Sequence, residues 1–166
     1  MTKPDPSPAV DPKRELLRHT LATLAYRGGK AVRNAPAGFA DFHGGKGLRT
    51  PGQILAHIGD LFDWVLSIAI GQQKWQNSTP QPWEQEVSRF FDALKRFDDF
   101  LASSDPVQAP LEKLFQGPIA DALSHVGQIA ILRRMAGAPV KPENYYVADI
   151  QTGRVGVDQS TPKREF

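Results

Sequence analysis

The chain has 166 residues, 40% of them hydrophobic, which suits one domain with a core of its own. Twenty Lys and Arg against 18 Asp and Glu leave a formal charge of +2, too balanced to point to a nucleic-acid partner. Cysteine is absent, so disulfides, thiolate catalysis, Cys-zinc sites and iron–sulfur clusters are excluded, and any metal must be held by His, Asp, Glu or water.

Residues 1–12 are polar and Pro-rich and read as a flexible N-terminal arm without an apolar signal region. No run approaches a membrane span, so a soluble, cytoplasmic protein is expected. From Lys13 the apolar spacing turns helical through Leu16, Leu17, Thr20, Leu21, Leu24 and Ala25. A first helix is expected to about Ala35, with Gly28 and Gly29 as a cost to its stability. A Gly-rich loop extends to Gly47. Thr50-Pro51-Gly52-Gln53 is a capping-box start for a second helix running to about Lys74. Its stripe of Ile54, His57, Leu61, Trp64, Val65 and Ile68 puts His57 in the middle of an apolar face, with Asp60 and Asp63 on the solvent side. A third helix spans Trp83 to about Ala102. Its Glu84, Glu86, Arg89, Lys95 and Asp98 read as a solvated face.

The fourth helix is Gly117 to Gly137, GPIADALSHVGQIAILRRMAG, with Pro118 at its first position and Gly137 as its stop. Asp121 and His125 lie four apart on the edge of its apolar face, one turn and about 6 Å of rise from each other. A carboxylate and an imidazole so placed can share one divalent metal ion. An acid at a helix start is also favoured by the helix dipole alone, and a His among apolar neighbours is often a satisfied core residue. Four amphipathic helices over residues 13–137 without a strand pattern predict an all-α four-helix bundle. Bundles build metal sites from facing helices, so His57, Asp121 and His125 converge if the second and fourth helices are neighbours.

The mid-helix His of LAHIGDLFDW followed far downstream by DALSHVGQIAILRRMAG resembles the DinB-like (YfiT-like) family of four-helix bundles. The resemblance implies a divalent metal held by His57, His125 and a third residue four before His125. That third position is Asp121 here, where many relatives have His. It also implies an enzyme, a metal-dependent thiol transferase or a hydrolase. The cofactors would be zinc, nickel, iron or manganese, and for the transferases a low-molecular-weight thiol. The partner would be a small-molecule substrate or that thiol. Relatives are often dimers, and Trp64, Trp75 or Phe100 could pair two bundles into a homodimer. No convincing general base stands beside the three ligands, although Asp60, Asp63 and Glu143 are to be considered, and a non-catalytic metal- or small-ligand-binding protein is the alternative.

Residues 138–166 are Pro- and Gly-punctuated yet carry Tyr145, Tyr146, Val147, Ile150, Val155 and Val157. A mostly irregular extension packed back on the bundle is expected. An extended chain of about seven residues can cover some 20 Å, so Asn144, Tyr145 and Tyr146 are candidates to rim the pocket and orient a substrate. The competing reading is that the two tyrosines cover an apolar groove between helices.

Overall fold

Asp11 accepts from the backbone N–H of Lys13 and Pro12 takes the first helical position, which starts α1, Pro12–Val32. The computed structural model describes residues 11–166, so most of the N-terminal arm lies outside the described residues. After α1 come α2 (Pro51–Ala69), α3 (Trp83–Ala102), a short α4 (Leu111–Leu114), a π-helical turn (Phe115–Ile119) and α5 (Ala120–Met135). Single 3-10 turns stand at Phe39–Asp41 and Tyr145–Val147. Among the described residues there is no strand beyond one isolated bridge between Glu143 and Glu165. None of the described helices is long and apolar enough to cross a membrane.

The architecture is the expected all-helical four-helix bundle. Helix α1 packs on α3 and α5, and α2 packs on the same two, so α1 and α2 stand on a diagonal. Leu21, Leu24, Ile58, Phe62, Leu94, Phe97 and Ile129 fill the centre and are almost wholly buried. Gly28 and Gly29 let α3 side chains press directly on the α1 backbone. A Cβ on Gly28 would stand 2.5 Å from Phe90 Cζ, and one on Gly29 3.2 Å from Phe91 Cζ. The two glycines, read as a cost, are the seat of an aromatic pair.

Two helices end earlier than their periodicity suggests. Helix α1 stops at Val32, and Asn34 turns left-handed (φ 53°). The carbonyls left over at its end are taken by Arg133 of α5, whose guanidinium donates to the carbonyls of Ala31, Arg33 and Asn34 at 3.1, 2.9 and 3.3 Å. Helix α2 stops at Ala69 because Gly71 adopts φ 80° and the Gly71 and Gln72 N–H groups fold back to the carbonyls of Ile68 and Ser67.

The fourth helix is not capped at Gly117. Leu111 to Met135 is one helical rod, and Gly117 and Pro118 lie inside it, in the π turn. Proline has no N–H to donate and its ring crowds the carbonyl four residues back. Widening that turn by one residue relieves both problems, which is how a proline sits inside a continuous helix.

Three acids expected on solvated faces are buried: Asp60, Glu86 and Asp98, exposed 4%, 0% and 3%. Each is held by a partner outside its own helix. Asp98 is gripped by Arg18 of α1 at 2.9 and 3.2 Å. Asp60 takes the Ser78 backbone N–H at 2.9 Å, the Ser78 hydroxyl at 2.6 Å and the Arg89 guanidinium at 2.6 Å. Glu86 accepts from the Gln81 N–H at 2.9 Å. The loop from Ile70 to Pro82 brings Ser78 to α2 and Gln81 to α3, which turns the polar face of both helices inward.

The C-terminal extension packs back as expected. It runs along α1 toward that helix's start. Glu143 takes Tyr26 Oη at 2.6 Å and Lys30 Nζ at 2.8 Å, and the Thr152 hydroxyl stands 3.4 Å from the His19 ring. Val155, 4% exposed, joins the core.

Candidate metal centre

His57 is in the second turn of α2, a helix whose start is set by the Thr50–Gln53 capping box. Asp121 and His125 project from the first turns of α5, directly after the π turn. Because α2 and α5 are neighbours, the three side chains meet, and one ligand atom from each lies within 4.8 Å of the others. His57 Nε2 is 3.6 Å from Asp121 Oδ2, and His125 Nε2 is 3.4 Å from Asp121 Oδ1. The imidazoles are perpendicular, with ring centres 4.8 Å apart.

These spacings suit a metal. Bonds of roughly 2.0–2.2 Å to nitrogen or oxygen place neighbouring donors about 3.4 Å apart on a tetrahedron. Two histidines and a carboxylate form a common divalent donor set, and three protein ligands leave positions open. The electrostatics of His57 agree. Burial, then the neighbouring His125 and Arg49, outweigh the Asp121 carboxylate and hold His57 below the ordinary histidine value, in the neutral form that ligates. His125 Nδ1 lies 2.9 Å from Gln128 Oε1. Donating its N–H there, it leaves the Nε2 lone pair facing Asp121 and His57, the arrangement by which an outer partner aims a ligating imidazole.

The surroundings are asymmetric. On one side the Trp75 indole lies edge-on to His57, ring centres 5.7 Å apart, and edge-on to Trp64 at 5.5 Å. Next to this pair, with Trp64 as a shared wall, a shallow groove of ≈ 440 Å³ opens beside Asp121, lined by Leu61, Trp64, Gln116, Gly117, Ala120 and Ser124. Trp75 is held in place by its loop: Lys74 N–H donates to Ser67 Oγ at 2.9 Å, and Ser78 is anchored on Asp60.

Asn144, Tyr145 and Tyr146 do not join this group. Tyr145 packs edge-on against Tyr26, ring centres 6.3 Å apart, with the Arg27 guanidinium 4.3 Å above its ring. Asn144 accepts from the Tyr146 N–H, and Tyr146 is 97% exposed. The Tyr145 contacts are with α1, whereas the ligands come from α2 and α5. The tail is captured by Lys30 and Tyr26 at Glu143, which directs the residues after it along α1; Tyr145 lies on α1 beside Tyr26 and Arg27 and Tyr146 is in solvent, so the pair does not cover an apolar groove between helices either. The three acids considered as bases are also engaged elsewhere: Asp60 and Asp63 by Arg89, Glu143 by Tyr26 and Lys30.

The sequence assigned no role to Gln128 or Arg49, and offered Trp75 only as a dimer contact. Gln128 was detectable, since it lies three after His125 on the same helix face. Trp75 and Arg49 sit outside the helices, where periodicity places nothing. Comparison with family models, curated proteins and solved structures returned no match to this chain. The resemblance to the DinB-like family therefore rests on its motif residues alone.

Proposed function

We propose that this is a DinB-like divalent-metal protein whose His57, Asp121 and His125 hold one ion, and that it is a metal-dependent thiol transferase or hydrolase acting on a small molecule. The observation that carries the reading is the convergence of three ligand atoms from two helices within 4.8 Å. A divalent ion in such a site supplies Lewis acidity and lowers the pKa of a thiol or water bound to it. The chain does the rest. Gln128 orients His125, Trp75 shields one edge of His57 from water, Arg49 contributes positive charge near His57, and the groove beside Asp121 admits the substrate. Nitrogen and oxygen donors do not choose among zinc, nickel, iron and manganese, and the cell's supply often decides.

A second reading, a bundle that binds metal or a small ligand without turnover, is favoured by one observation. Asp60, Asp63 and Glu143 are all committed to ion pairs or hydrogen bonds elsewhere, so none serves as a general base.

Elemental analysis of purified protein tests the metal. One ion per chain is expected in the wild type and a sharp loss in His57→Ala, with the melting temperature of the metal-free protein little changed. A metal-free wild type, with His57→Ala instead lowering the apo melting temperature, would make the histidine a structural residue and overturn the reading. Turnover in a screen of low-molecular-weight thiols with electrophiles, and of hydrolysable esters and amides, separates enzyme from binder.

A further inference from the structure

A second groove, ≈ 560 Å³, runs between the start of α1 and the α4–π-turn segment, with Leu16, Leu17, Thr20, Leu111, Phe115 and Gln116 in its walls. Among the described residues two of its apolar groups are left open to solvent: Leu16 is 65% exposed and Phe115 43%. Lys13 Nζ and Glu112 Oε1 pair at 2.6 Å and join its two walls.

This groove meets the one beside the candidate metal centre at a single residue. Gln116 lines it and also lines the groove beside Asp121. Asp121 is in turn both a wall of the groove beside it and a ligand of the cluster. Along the helical rod, Phe115 and Asp121 are separated by about 9 Å of rise. The surface between them is short and mixed, with Leu61, Trp64, Gly117 and Ala120 beside Gln116 and Ser124. Gly117 adds no side chain there, and a Cβ at that position would meet nothing within 4 Å. The track is therefore polar and metal-binding at one end and apolar at the other.

We infer that the substrate is an amphiphile: a metal-binding head seated at His57, Asp121 and His125, and an unbranched apolar chain that crosses Gln116 and lies between Leu16 and Phe115. The inference rests on the metal reading above and adds the substrate class. The volume of the groove falls in the range of small-molecule sites. A second copy of the chain would need about 800 Å² of each partner, whereas the apolar surface here is a slot closed across by the Lys13–Glu112 pair.

The test uses the full chain loaded with zinc and two hydroxamates with the same chelating head, acetohydroxamate and octanohydroxamate, titrated by calorimetry. Zinc content is measured before titration, so failure of the metal reading is seen first and separately, as protein that retains no zinc or does not bind acetohydroxamate. With metal and short ligand bound, each seated methylene contributes up to about fourfold. If half of the six additional methylenes are seated, octanohydroxamate binds about fiftyfold tighter. Leu16→Gln and Phe115→Gln, both at exposed positions that tolerate a polar side chain, should each remove most of that gain and leave acetohydroxamate affinity unchanged. Equal affinity for the two hydroxamates overturns the inference while leaving the metal site standing. So does a chain-length gain that survives both substitutions, or one that persists undiminished in metal-free His57→Ala. A stable dimer in sedimentation that dissociates in Leu16→Gln, with no dependence on chain length, would give the groove to a second copy instead.

Discussion

Asp60 is the sharpest point at which to test how the Trp75 loop is held over the candidate site. Asp60→Asn keeps the shape and removes the charge. The wild-type carboxylate receives three donors, two from Ser78 and one from Arg89, at 2.6–2.9 Å. An amide has one acceptor oxygen, so its NH₂ must face either the Ser78 N–H or Arg89, and at least one part-buried donor loses its Asp60 acceptor at about 1–3 kcal/mol. Arg89 keeps Asp63 at 2.8 Å and stays within 3.7 Å of Glu86, so the loss is smaller than for a pair broken outright. The expected cost is about 2–4 kcal/mol in urea unfolding of the metal-free protein near pH 7. Trp75 emission should shift to the red as its loop loosens. The pH dependence has a definite sign. Burial by itself would raise the Asp60 pKa, but the Ser78 hydroxyl, its N–H and the Arg89 guanidinium outweigh burial and hold it below the ordinary aspartate value. A depressed carboxyl stabilises fully above its unfolded pKa, and that contribution is lost as pH falls through the lower native value. The wild-type advantage over Asp60→Asn should therefore narrow once the pH drops below about 4. A loss under about 0.5 kcal/mol with unchanged Trp emission, or an advantage that does not narrow in acid, would refute the reasoning.

Two further outcomes rest on packing. Gly28→Ala should destabilise by about 1–2 kcal/mol, because the clash with Phe90 exceeds the usual helical gain, while Gly127→Ala, with nothing within 4 Å of its Cβ, should stabilise by about 0.5–1 kcal/mol; paired urea titrations check both. Truncation after Ala138 removes Glu143 from Lys30 and Tyr26 and Val155 from the core, so thermal unfolding should register a loss of at least about 2–4 kcal/mol with metal content preserved.

The features legible in the sequence were local. The capping box of α2, the bounds of α3 and the pairing of Asp121 with His125 all depend on spacings within a few residues, and a helix converts such spacings directly into geometry. The convergence of His57 with that pair needed one added fact, that α2 and α5 are neighbours, and long connections conceal it. The burial of Asp60, Glu86 and Asp98 was hidden for a related reason. Their partners lie in a loop, in α1 and in α3, and a polar residue at a polar-face position carries no sign that another segment will cover it. Gly117-Pro118 misled because the same dipeptide that opens a helix can also occupy a π turn inside one. Asn144 and Tyr145 were placed by reach alone, and reach does not say that Lys30 and Tyr26 will intercept the chain at Glu143.

The π turn bears on how this protein can change over evolutionary time. Successive residues of an α-helix advance by about 100° around its axis, so one residue more or less offsets everything downstream by that angle. Leu111 and Phe115 look toward α1 while Asp121 and His125 look toward α2, and the five residues Phe115–Ile119 set the phase between them. A deletion of Gln116 would close the turn into a regular helix with the phase of its flanks nearly kept, but it would leave Pro118 in a regular helix interior, where its ring crowds the carbonyl four residues back. Between Pro36 and Gly47 the chain can gain or lose residues at little cost, as surface loops do. The short string FQGPI is tied to its proline, and descendants of this protein should keep its length for as long as they keep Pro118.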